Sequence, residues 1–138
     1  MNAYRWSDLH VGLRHGFAVT ITPGMVERFR ADTGDTNPLH ADRDFAIGHG
    51  FIDAVVFGML TASFFSTLVG VHLPGRHALL HAVDTAFLKP VFVGDVLTVA
   101  GEITHLTDAY RQAELAATVH NQAGVKVARA KIKVGVLA

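Results

Sequence analysis

A chain of 138 residues is long enough to bury one core without disulfides or metal, so a single domain spanning residues 1–138 is expected. Twelve basic residues balance twelve acidic ones with no cationic run, which argues against a nucleic-acid footprint. The absence of cysteine excludes a disulfide framework, a thiolate nucleophile and sulfur-bound metal, and a charged fraction of only 17% suggests surface buried in an oligomer.

The start, Met1 to Leu13, carries Arg5, Asp8 and His10 and no apolar signal core, which points to a cytoplasmic protein. From His15 to Thr22 the residues alternate, placing Phe17, Val19 and Ile21 on one face of a strand. Thr22 then reads as an N-cap with Pro23 at the first helical position. Met25, Val26 and Phe29 form the apolar stripe of a helix reaching about Asp32, and Gly34 closes it. After the loop Asp35 to His40, Asp42 to Ile47 suits one further helical turn that buries Phe45, and Gly48-His49-Gly50 loosens the backbone.

Ala54 to Val71 contains no charged residue, and Val55 to Val69 is apolar nearly all round, as in a buried helix. The rival is a membrane span, since the run reaches the lower limit of length for crossing a bilayer. Gly58, Gly70, the hydroxyl residues and the lack of a basic flank favour a central helix wrapped by sheet.

Beyond Leu73-Pro74-Gly75 the chain reads as strands: His77 to Leu88, Val96 to Leu106, Tyr110 to His120 and Val125 to Val136. Leu97, Val99 and Ile103 share a face. So do Leu115, Ala117 and Val119, while Ala128, Ala130, Ile132 and Val134 oppose Arg129, Lys131 and Lys133. One early strand, a helical middle and later strands predict an α+β fold with an antiparallel sheet. One curved sheet does not easily enclose a helix that is apolar all round, so a homodimer is expected.

Asp35-Thr36-Asn37-Pro38-Leu39-His40 concentrates an acid, an amide, a rigid turn and an imidazole. Pro38 keeps Asn37 out of the helical region, so Asp35 and His40 must meet across a loop, where a carboxylate and a histidine in reach of one water can activate it. Asp35 and Asn37 are also ordinary turn formers and His40 an ordinary loop residue, so residue types alone leave both readings open. Among nine histidines the close pair His77 and His81 lies on a strand with no third ligand beside it, so no metal site is expected. Thr61, Ser63, Ser66 and Thr67 suit helix packing or back-bonding, with room for one of them to face a site. No Gly-x-Ser-x-Gly elbow, phosphate loop or Gly-x-Gly-x-x-Gly motif occurs.

From Ala31 to Asp42, with Phe45-Ala46 following, the chain resembles the MaoC-like, (R)-specific enoyl-CoA hydratase family. The likeness continues through Gly58-Met59-Leu60, Leu73-Pro74-Gly75 and Phe87 to Asp95, several motifs in order from about Leu9 onward. The resemblance implies a hot-dog fold, a homodimer with sites near the subunit interface, and reversible hydration of trans-2-enoyl thioesters of coenzyme A or acyl carrier protein. No cofactor is expected, and neither a nucleic acid, given the balanced charge, nor a membrane, given the diluted apolar run, is expected as a partner.

By the same resemblance Asp35 and His40 form the catalytic pair, Asn37 orients them, the N–H of Gly58 polarises the thioester carbonyl, and Ser66 is the family's active-site serine. The residue before that glycine is usually histidine in the family, whereas here it is Phe57; Asp53-Ala54 also lack the basic residue and proline often found there. A non-catalytic acyl-thioester-binding subunit and, more remotely, a thioesterase are the competing functions. The intact Asp35, Asn37 and His40 favour the hydratase over both.

Overall fold

Alternation decides the sheet, and the structure, a computed structural model, describes residues 1–138. After β1 (Arg14–Thr20) and α1 (Pro23–Thr33) come α2 (Arg43–Gly48) and α3 (Gly58–Thr67), then β2 (Ala78–Phe87), β3 (Val96–Thr107), β4 (Gln112–His120) and β5 (Lys126–Val136). The five strands form one antiparallel sheet in the order β1-β3-β4-β5-β2. Leu97, Val99 and Ile103 on β3, Leu115 and Val119 on β4, and Ile132 and Val134 on β5 are buried on its inner face. Each such side chain contributes about 1.5–3 kcal/mol through burial.

Helix α3 lies in the hollow of this sheet, with Leu60, Phe65, Leu68 and Val69 in the same core. Its seat depends on a missing side chain. A Cβ on Gly101 of β3 would stand 2.8 Å from the Leu68 side chain, so glycine there lets the helix end press onto the strand. An antiparallel sheet wrapped round one helix is the hot-dog fold, as the resemblance implies, and the class is α+β as expected from the strand count. No helix is long and apolar enough to cross a membrane.

The first helix follows its sequence signals: the Thr22 hydroxyl accepts from the Met25 N–H, and Gly34 ends the helix in the left-handed conformation. Three expectations are corrected. The apolar run from Val55 begins as extended chain, and the helix starts only at Gly58. Val55 N–H donates to Leu39 O (3.0 Å) and Val56 N–H to Val91 O (2.8 Å), so tertiary hydrogen bonds hold these residues out of the helix. Nor is α3 buried all round, because Met59, Ser63 and Ser66 form an exposed stripe along it. In α2 the inward side chain is Ala46, fully buried, whereas Phe45 is exposed and packs on His49 with ring centroids 4.3 Å apart.

Candidate active site

The loop after α1 is fixed by its own hydrogen bonds. Thr33 Oγ1 accepts from the Asp35 N–H (3.3 Å), Asp35 Oδ1 accepts from the Asn37 N–H (3.1 Å), and Asn37 Oδ1 accepts from the Leu39 N–H (3.0 Å). The last of these caps the short 3-10 turn Pro38–His40, with Pro38 at its start. A chain of Asx-type turns thus carries the backbone from Asp35 to His40 without help from the core.

The histidine at the end of that turn is tied to the extended segment before α3. His40 Nδ1 lies 2.6 Å from the Val55 carbonyl, and the neighbouring Leu39 carbonyl accepts from the Val55 N–H. A carbonyl only accepts, so the Nδ1 proton is committed to Val55 and Nε2 is left for chemistry. One face of the imidazole rests on Phe57, whose ring centroid is 4.2 Å away and which leans in turn on Phe29 at 4.9 Å.

Phe57 is only 2% exposed and offers no side-chain cap to α3. The first N–H groups of a helix have no partner within it, so those of Gly58 and Met59 point outward at the positive end of the helix dipole. Gly58 admits no side chain without displacement, because a Cβ would come within 3.3 Å of three atoms of the Phe87 ring.

Two cavities meet at this point. The larger, about 850 Å³, is lined by Asp35, His40, Gly58 and Ser66, with Leu80 and Val83 of β2 as part of its apolar wall. The smaller, about 350 Å³, runs from His40 and Gly58 past Thr61 to Leu88, Lys89 and Val127. His40, Gly58 and Phe87 line both.

Asp35, His40, Gly58 and Ser66, singled out in the sequence, therefore face one cavity. Asn37 does not line it, and its side-chain oxygen is spent on the turn that leads to His40. Sequence reasoning left out Phe29, which it placed in the apolar stripe of α1, and Leu80 and Val83, which it placed only within a strand, and it gave Thr61 no particular part. The one available signal was a hydroxyl residue inside an otherwise apolar stretch.

An exposed acid and an anchored imidazole beside an uncapped helix start can move protons next to a polarised carbonyl. The family described as "MaoC like domain" matches residues 11–125. An (R)-specific enoyl-CoA hydratase of Aeromonas caviae is 37% identical over 117 residues, covering 85% of this chain and 87% of that protein. A 3-hydroxybutyryl-CoA dehydratase of Methylorubrum extorquens is 34% identical over 113 residues, covering 82% and 72%. The solved R-hydratase PhaJ1 of Pseudomonas aeruginosa, unliganded, superposes with a TM-score of 0.89 at 27% identity, covering 96% of this chain and 84% of that one. This chain belongs to the MaoC-like domain family, and its activity is that of a hydratase or dehydratase, a lyase.

Proposed function

We propose that the protein hydrates trans-2-enoyl thioesters of coenzyme A or acyl carrier protein, reversibly, to (R)-3-hydroxyacyl thioesters. The observation that carries this reading is the anchoring of His40 Nδ1 on Val55, which leaves Nε2 free in a cavity shared with Asp35 and with the uncapped start of α3. Water adds as hydroxyl to the β-carbon and as a proton to the α-carbon. With one proton shared between Asp35 and His40, the deprotonated member takes the water proton as oxygen attacks. The protonated member gives its own proton to the α-carbon, so the pair ends with the proton count it began with. The Gly58 N–H stabilises the negative charge that develops on the thioester oxygen, and Ser66 lines the acyl side. Loss of enoyl absorbance from crotonyl-CoA, with no free thiol released, is the expected result; thiol release without hydration would make the protein a thioesterase instead.

A homodimer formed along β2 is part of the same reading. This strand is a sheet edge, paired only with β5, yet Leu79, Leu80, Val83 and Phe87 on it are exposed. A long apolar edge with free backbone groups is a template for pairing, and a partner there would roof the larger cavity. Sedimentation at micromolar concentration should give twice the chain mass, and a monomer would count against the arrangement.

A further inference from the structure

No hydrogen bond or ion pair joins Asp35 to His40, and separate parts of the chain hold them. The Asp35 N–H donates to the Thr33 hydroxyl, which in turn donates to the Phe29 carbonyl at 2.7 Å, so the acid hangs from α1. His40 is tied instead to Val55, in the extended segment before α3. Two groups that share one water lose rate steeply when their spacing drifts by as little as about 1 Å, so something must hold the two supports in register.

Phe57 touches both supports. Its ring lies 4.2 Å from the His40 imidazole and 4.9 Å from the Phe29 ring, centroid to centroid, and it lines the larger cavity together with Asp35. At 2% exposure the ring cannot swing without displacing its neighbours, whereas Asp35 to Pro38 are exposed. The bond from Nδ1 to Val55 fixes one ring atom and leaves the imidazole free to tilt about it; Phe57 blocks that tilt on one face and shields the bond from water there. Extended backbone makes this possible, because in a helix the Val55 carbonyl would be committed to the N–H four residues on. Resting on the hydratase reading above, we infer that Phe57 is a positioning residue for the catalytic pair: its ring sets the aim of His40 Nε2 and, by way of Phe29 and Thr33, the gap to Asp35.

Phe57→Leu and Phe57→Met keep most of the side-chain volume and lose the flat ring, so both test the role with the core filled. Initial rates are measured with crotonyl-CoA and trans-2-hexenoyl-CoA, well below each variant's melting temperature. Turnover should fall about tenfold, by the same factor for both substrates and with KM unchanged, since the loss is in aim rather than in binding. The proton NMR signal of the His40 Nδ1–H, identified by its absence in His40→Ala, should also exchange with water faster in both variants than in wild type. Wild-type turnover in either variant would overturn the proposal and leave Phe57 as core filling. A KM that rises more for hexenoyl than for crotonyl would overturn it too, making Phe57 a wall of the acyl site. The NMR signal needs no turnover, which keeps the two readings apart. Wild type that hydrates neither substrate sinks the hydratase reading alone if the signal still changes with Phe57, and an unchanged signal sinks the positioning role whatever the rates.

Discussion

The loop from Asp35 to His40 and the start of α3 supply the two halves of the site, and they are built in opposite ways. Asp35 to Pro38 are exposed, and the backbone N–H groups of Asp35, Asn37 and Leu39 are satisfied within the loop by the side chains of Thr33, Asp35 and Asn37. Phe57 and Thr61 on the other side are buried, and that half keeps unspent donors, the first amides of α3 and the Thr61 hydroxyl. The exposed half can change its chemistry without loosening the core, because its conformation is set locally. The buried half can bind but cannot be altered without being felt by the fold. Activity and stability should therefore separate along this line.

The largest expected effect falls on the loop. Asp35→Asn keeps the shape and removes the base, and His40→Ala removes its partner; each should lower turnover about 10²- to 10⁴-fold. In the proposed mechanism both act on one water, so the double variant should be little worse than the poorer single one. Asp35→Asn should leave the melting temperature close to that of wild type, since the carboxylate is exposed and amide oxygen can still accept from the Asn37 N–H. Steady-state kinetics with crotonyl-CoA alongside thermal melts decide this, and full activity in both single variants would break the proposed mechanism.

Phe57 tests the other half. Truncation to alanine empties a site that is 2% exposed and packed between Phe29 and His40, so a stability loss of about 3–5 kcal/mol is expected in denaturant titration. Phe57→Leu retains most of the volume and should recover most of that loss. A fall in activity without a fall in stability for Phe57→Ala would show that the two halves are not divided as described.

The same division governs what was legible in the sequence. Thr22, Pro23 and Gly34 signal the ends of α1 through local chemistry, and the alternation on β3, β4 and β5 marks the inner face because these strands are covered on one side only. The apolar run taken alone starts α3 too early by three residues, Val55 to Phe57. What holds them extended is hydrogen bonding to Leu39, His40 and Val91, partners distant in sequence that no local propensity encodes. Hydrophobicity ranks Phe45 above Ala46 as the buried residue of α2, but the short helix turns Ala46 inward and leaves Phe45 exposed against His49. Thr61 could not be told from the other hydroxyl residues of α3 for a similar reason: whether a helical hydroxyl returns to its own backbone, as Ser63 does to Leu60, or stays unpaired, as Thr61 does, depends on packing that local sequence does not encode.

Asn37 gives the smallest effect and the finest test of where the halves join. Its Oδ1 caps the turn Pro38–His40, and its carbonyl accepts from the His40 N–H at 3.1 Å, so it reaches the imidazole only through the backbone. Removing the cap in Asn37→Ala should cost about 1 kcal/mol of stability. Turnover should drop only several-fold, because the ring keeps its separate anchor on Val55. Asn37→Asp retains the accepting oxygen and loses the amide N–H₂, so it should recover both quantities if capping is the whole role. If Asn37→Asp were as slow as Asn37→Ala while melting like wild type, the amide would be donating to the water or the substrate. Asn37 would then belong with Asp35 and His40 in the chemistry.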